Sequence, residues 1–313
     1  VQVEAAGPFS YRDAMNMIAP GKGKAGVEIS HAAPPLQRPI VITAARGWLA
    51  QFVNAADDVT ETAKLWRLVW TLSWLDIRLR YRGSLLGPFW LTLSTAVMVG
   101  AMGFLYARLF HIDLHIYLPF LSTSLVLWGA LSGLTADGCT CFTQSESMVR
   151  AMRMPLCVHA ARVVIRNALI FLHNTPVIGV VLWLMHTVPS AASITVIPAF
   201  MLWMIDAFFI CLLLGVVCAR FRDIPPIVGS IMQIAFYVSP VIWSPSILEH
   251  RGLGTVLITW NPFFALLDII RGPLLGGPFT LSSWGVALGY SALLMVGASI
   301  AFIRARARLA YWV

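Results

Sequence analysis

The chain of 313 residues is 58% hydrophobic and 12% charged, with a mean hydropathy of +0.78, which excludes an ordinary soluble domain. Its net charge of +8 invites a nucleic-acid reading, but 19 of the 22 basic residues are Arg, and most of these stand beside apolar runs. Membrane topology accounts for such a distribution better than phosphate tracking does, so no nucleic-acid partner is expected. The five cysteines (Cys139, Cys141, Cys157, Cys211, Cys218) are odd in number and lack the spacing of a disulfide framework.

Residues 1–57 scatter Gly, Pro and Ala without the apolar core of a signal peptide and read as a polar cytoplasmic tail. A helix over 58–82 follows, its start signalled by Asp58-Val-Thr-Glu61, where capping explains Asp57 and Asp58. At helical pitch Trp66, Trp70, Trp74, Ile77 and Tyr81 share one side, and Leu65, Leu68, Leu72, Leu75 and Leu79 share another. An aromatic stripe with basic flanks suits the headgroup layer, and the leucine stripe is expected to face protein. Arg78, Arg80 and Arg82 then either set topology or frame an entrance for something anionic.

Six apolar passes follow, near 86–110, 116–136, 163–186, 194–218, 227–243 and 283–303, so the fold class is an all-α membrane protein. Arginines cluster before the first pass, between the second and third, between the fourth and fifth, and after the sixth. The connections 111–115 and 187–193 carry no Lys or Arg, which places both termini in the cytoplasm. The inner loop holds polar "TQSES" before a basic stretch that Pro155 closes, a pattern open to a solvated loop or a docking site. Cys139-Thr-Cys141 with Cys157-Val-His159 imitates a metal pattern, but two of these ligands sit at a span end and no metal is expected.

In the outer segment 244–282, "GTVLITW" and "FFALLDIIRGPLLG" are apolar but too short to span, and Asn261-Pro262 and Gly272-Pro273 break them. They are either re-entrant helices or helices lying on the outer leaflet. Inside the passes, Asp206 is the one deep acid. His173 and Asn174 lie at matching depth on the neighbouring antiparallel pass, so the sequence predicts that Asp206 faces inward and pairs with one of them. "APGKGKAG" (Ala19–Gly26) lacks the Ser/Thr and the preceding strand of a phosphate loop, so this chain is not expected to bind ATP or to act as an enzyme.

"DIRLRYRGSLLGPFW", "SMVRAMRMPLCVHAARVVIRNALIFLHN", "ARFRDIPPIVGSIMQIAFYVSPVIW" and "NPFFALLDIIRGPLLG" resemble, in order, the landmarks of the membrane subunit of polysaccharide-exporting ABC transporters. That family serves O-antigen, capsule and teichoic-acid export, and the similarity covers residues 64–308. The resemblance implies a homodimer in the bacterial inner membrane, two ABC ATPase subunits that bind the ATP and Mg, and a channel for a lipid-linked glycan. It assigns ATPase coupling to Ser145, Glu146, Ser147, Arg150 and Arg153. The resemblance assigns an outer gate to the segment with Asn261, Pro262, Phe263 and Arg271, while the substrate-entrance reading of Arg78, Arg80 and Arg82 rests on the basic helix itself. An exporter of lipid or drug would be of the same class. An ion-coupled carrier would favour inverted repeats, and none is evident.

Overall fold

The computed structural model describes residues 47–84, 87, 89–151, 154–245 and 258–312, and among these the regular structure is entirely helical. Ten α-helices follow in order: α1 (Trp48–Lys64), α2 (Trp66–Arg80), α3 (Phe89–Phe110), α4 (Leu114–Cys139), α5 (Glu146–Ala151), α6 (Cys157–Leu184), α7 (Val196–Arg220), α8 (Ile224–Val238), α9 (Pro262–Leu274) and α10 (Leu281–Trp312). Five stretches are long and apolar enough to cross a bilayer: α3, α4, α6, α7 with its leading 3₁₀ turn, and α10. The shortest, α3, has 22 residues, or about 33 Å at 1.5 Å per residue against a hydrocarbon core of about 30 Å.

The sixth expected pass, 227–243, differs. α8 has 15 residues, about 22 Å, and stops at Ser239, whose φ/ψ of −80/145 is extended. Pro240 explains the stop, because a proline pushes the residue before it out of the helical region.

α4 is the centre of the bundle and packs on α3, α6, α7, α8 and α9. Its apolar window is 61% buried, against 11% for the peripheral α3. The hydroxyls that α4 buries are satisfied locally: Ser122 and Thr123 donate to Pro119 O and Ser124 to Phe120 O, so they carry little desolvation cost. α3 buries only Val99, Gly103 and Ala107, one stripe at four-residue spacing, and a Cβ at Gly103 would meet Leu118 Cδ1 at 2.2 Å.

The end of the bundle where α2, α5 and the last turns of α10 gather is called the base here, and the other end the crown. At the base, Gly83 (φ +87) and Gly87 (φ +54) make the turn from α2 to α3, using backbone that favours glycine.

The helix expected over 58–82 begins ten residues earlier, at Trp48, and kinks at Leu65. Asp58 therefore caps nothing. It sits buried within α1 and takes a two-pronged bond from Arg306 of α10, at 2.5 Å from Nε and 2.8 Å from Nη2. The leucine stripe of α2 is also not the gripped side. Leu68, Leu75 and Leu79 are exposed along with Trp66, Trp70 and Trp74, while Val69, Ser73 and Ile77 are buried against α6. Ser73 fixes the contact by donating to Arg162 O at 3.0 Å. A hydroxyl at the centre of the contact face hid this stripe from a reading based on large apolar residues.

Candidate functional site

The loop between α4 and α6 leaves α4 through Phe142, which is fully buried. A Cβ at Gly215 of α7 would lie 2.8 Å from that ring, so the glycine is what lets the loop root pack here. Ser145 is buried and donates to Cys141 O at 3.1 Å, closing the 3₁₀ turn that leads into α5. Glu146 and Ser147 then emerge on the surface, where with Thr143 and Gln144 they line a polar hollow. Arg150 lies on the α5 backbone, its side chain outside the described residues, as is all of Arg153. Met148 ties α5 inward, its sulfur 3.9 Å from Arg162 Nη1.

Arg162 opens a network that joins three helices at the base. Arg162 (α6) holds Asp76 (α2) two-pronged, through Nε at 2.7 Å and through Nη2. Arg166, one turn further along α6, reaches Asp76 at 3.3 Å and Asp137 (α4) at 2.9 Å. The second contact is an ion pair by distance without hydrogen-bond alignment, and Arg166 Nε has no protein partner among the described residues. Asn167 donates to Asp137 Oδ2 at 2.9 Å and to Val163 O at 3.0 Å. Arg80 of α2 closes the circuit at 3.8 Å from Asp137, with its side chain 47% exposed. Three arginines and two carboxylates thus connect α2, α4 and the base of α6 beside the loop that carries α5.

Arg78, Arg80 and Arg82, at the end of α2 and in the turn after it, do not act as one group. Arg80 points to Asp137, while Arg78 and Arg82 are exposed and are not paired among the described residues. Arg78 is two residues from Arg80, about 200° around α2, and Arg82 lies in the turn past the helix end, which explains the split.

At the crown, Asn261 caps α9, its Oδ1 accepting from Phe263 N at 2.9 Å and Phe264 N at 3.2 Å, and Pro262 fills the first turn. Asn261 Nδ2 donates to Ser239 Oγ at 3.0 Å, joining α9 to the end of α8. Phe263 packs on Trp128 of α4, their ring centroids 5.4 Å apart.

Arg271 is 2% exposed. Its Nη1 donates to Ser124 Oγ of α4 at 2.9 Å and to Pro240 O at 2.7 Å, and its guanidinium lies 4.5 Å over Phe120. Asp268 stands 3.9 Å from Nη2 and accepts from Ser283 of α10 at 2.7 Å. Ser124 is ten residues into α4, about 15 Å from its crown end, and Trp203 of α7 donates to Leu266 O at 3.1 Å. α9 therefore lies between the spans. Its end is sealed by Gly276 (φ +83) and by Gly277 N donating to Gly272 O at 2.9 Å.

Asp206 faces the interior as the sequence predicts, 5% exposed, but its partner does not match the prediction. Its Oδ2 accepts from Ser291 of α10 at 2.7 Å. His173 instead bonds Leu169 O at 2.7 Å within its own helix and accepts Thr92 of α3 at its carbonyl, while Asn174 Oδ1 accepts from Thr95 of α3 at 3.3 Å. Matching depth gave the right layer of the bundle. Azimuth decided the partners, turning His173 and Asn174 toward α3 and Asp206 toward α10.

Sequence reasoning missed Asp76, Asp137, Asn167 and Ser291, and used Arg162 and Arg166 only as markers of topology. A signal was available for Asp137, an acid placed at the last turn of an apolar helix and followed by a basic helix start.

Five membrane-length apolar helices among the described residues, with charge gathered at one end, define a multi-pass α-helical membrane protein. The sequence profile of the ABC-2 type transporter family matches residues 67–275, and the chain belongs to that family as a transporter membrane subunit. Relatives include an O-antigen export system permease protein RfbA of Klebsiella pneumoniae, 23% identical over 229 residues that make up 72% of this chain and 87% of the relative. A protein of the same name from Myxococcus xanthus is 23% identical over 197 residues, 61% of this chain and 74% of the relative. The resemblance to polysaccharide-export permeases is thereby upheld.

Proposed function

We propose that this chain is the transmembrane subunit of an ATP-driven exporter that moves a lipid-linked polysaccharide of O-antigen type outward across the bacterial inner membrane. It works as a homodimer with two copies of an ABC ATPase, which supply the ATP and Mg chemistry. The base faces the cytoplasm, since it gathers Arg80, Arg162, Arg166, Arg304 and Arg306. Both termini lie on that side, residues 58–313 form one permease domain, α8 enters as the sixth pass and α9 forms a re-entrant outer gate. The depth at which Arg271 meets Ser124 supports that reading of α9.

The observation that carries the proposal is the base network, in a chain whose relatives bear the name O-antigen export permease. An ATPase docking on Glu146, Ser147 and Arg150 pushes on a short helix. Arg162 transmits that push to α2 through Asp76, and Arg166 transmits it to α4 through Asp137. Arg78 and Arg82 stay free to meet the anionic head of a lipid-linked glycan. The test is reconstitution in proteoliposomes with its ABC ATPase subunit. Transport of lipid-linked glycan should require both proteins, and Asp76→Asn should retain ATP hydrolysis while lowering transport. A deletion strain with unchanged surface glycan removes the substrate assignment, and robust ATP hydrolysis by this chain alone removes the partner assignment.

A further inference from the structure

Ser291 satisfies only one of the two oxygens of Asp206. Oδ2 takes the serine hydroxyl, while Oδ1 is buried with no protein partner among the described residues. Asp206 stands 14 residues from the Arg220 end of α7, about 21 Å into the span, where bulk water does not reach. A carboxyl oxygen without a donor is costly in such a place. Asp206 also lines a cavity of about 30 Å³ between α4, α6 and α7, with Leu266 of α9 in its wall. The other side-chain nitrogens and oxygen on its lining belong to Asn167 of α6 and Trp203 of α7. Trp203 has committed its Nε1 to Leu266 O, so it offers the cavity no donor.

Asn167 offers none either. It is 9% exposed, and its Nδ2 gives one hydrogen to Asp137 Oδ2 and the other to Val163 O. Both partners accept, which fixes which end of the amide is oxygen and leaves Oδ1 as an acceptor. That oxygen turns toward α4, where a Cβ on Gly133 would stand 3.6 Å from it. Two acceptors therefore border one cavity that holds no free donor. A water molecule carries two donors and needs about 10–15 Å³, so 30 Å³ is room enough. A hard cation fits less well, because it gathers about six oxygens and finds two here.

We infer that this cavity is an internal hydration site, in which an ordered water donates to Asp206 Oδ1 and to Asn167 Oδ1 and so bridges α7 to α6. The bridge carries the base network into two further spans. Asp76 and Asp137 join α2, α4 and α6; the water adds α7 and, through Ser291, α10. A link made of water can be broken and remade without stranding a protein group, which suits a network whose other members exchange partners. The inference rests on the interior of the bundle and not on the cargo proposed above.

Brief X-ray radiolysis of the full chain in phospholipid nanodiscs tests it. Bound water is split into hydroxyl radicals that attack the side chains touching it, and mass spectrometry locates the added oxygen. Trp203, which lines the cavity and is 5% exposed, is the reporter, and Trp183, 74% exposed, is the reference. Trp203 should be labelled in the unaltered protein. Asp206→Leu and Asn167→Leu should each lose most of that labelling while Trp183 keeps its own. Asp206→Asn should retain it, because an amide at 206 can donate to a water that still donates to Asn167. An unlabelled Trp203 in the unaltered protein overturns the inference, and so does labelling that survives either leucine variant. Labelling that falls when sodium chloride replaces choline chloride overturns it too, by assigning the cavity to a cation.

Discussion

The base and the crown each bury arginine, and they do so in opposite ways. At the base, three arginines share two carboxylates across three helices: Asp76 has two arginine partners, and Asp137 is approached by Arg80, Arg166 and Asn167. Each acid can lose one donor and keep another, so the helices can shift without stranding a charge. At the crown a single guanidinium is fixed by a hydroxyl, a carbonyl and a ring face, with its acid set back at 3.9 Å. Neutral acceptors of that kind cannot be exchanged along a helix. The base is built to move as a connected set, and the crown is built to hold α9 in one register.

The largest effect should come from breaking the base at its most shared acid. Asp76→Ala leaves Arg162 and Arg166 partly buried around an emptied position, and removing one side of a buried pair costs about 3–5 kcal/mol. Thermal unfolding in detergent should show a clear loss. Asp76→Asn should cost less, because an amide oxygen still accepts. Exchanging the charges, Asp76→Arg with Arg162→Asp, should recover part of the loss. If Asp76→Ala unfolds like the unaltered protein, the network contributes nothing.

The crown should respond to shape rather than to charge. Arg271→Lys keeps the cation but loses the planar fork that reaches Ser124 and Pro240 while lying over Phe120. A loss of about 1.5–3 kcal/mol is expected, the usual range for hydrogen bonds to a charged group. Full stability in that variant would make Arg271 a simple counter-ion to Asp268 and erase the contrast between the two ends.

The mid-span pair ranks next. Asp206→Asn should fold with little change, since an amide oxygen still takes the Ser291 hydroxyl. Asp206→Leu leaves Ser291 buried and unpaired at the α7–α10 contact, which costs about 1–3 kcal/mol. Ser291→Ala in the Asp206→Leu background should then add almost nothing. Additive losses in that double variant would mean that the two residues do not share a bond.

Much of this was legible in the sequence because hydropathy and caps are local properties. The five long spans, the Asn261-Pro262 start of α9 and the inward face of Asp206 all follow from runs of a few residues. The break expected at Gly272-Pro273 is absent, since α9 carries Pro273 within it and runs on to Leu274. Partners across the bundle were not legible in the same way. Ser73 looks like a break in the apolar pattern of α2, yet it sits at the centre of the contact with α6. Asp58 looks like a cap and is a cross-bundle anchor 248 residues from its partner. Depth can be counted from a span end, whereas the facing helix depends on packing that no single segment encodes.

The smallest stability effect belongs to the edge of the base network, and it separates coupling from anchoring most cleanly. Arg80 is 3.8 Å from Asp137 with nearly half its side chain exposed, a geometry worth about 0–1 kcal/mol. Asp137 keeps Arg166 and Asn167 when Arg80 is removed, so no buried charge is left alone. Arg80→Gln should therefore unfold within about 1 kcal/mol of the unaltered protein. If α2 only anchors the chain, transport should be equally untouched. If α2 carries force from the inner loop, Arg80→Gln should lower transport per ATP hydrolysed, and Arg78→Gln with Arg82→Gln should instead weaken the response to substrate concentration. The contrast rests on direction: Arg80 turns toward a carboxylate on α4, and its two neighbours turn outward. Identical transport defects in the two sets of variants would merge the three arginines into one surface and leave α2 no separate role in coupling.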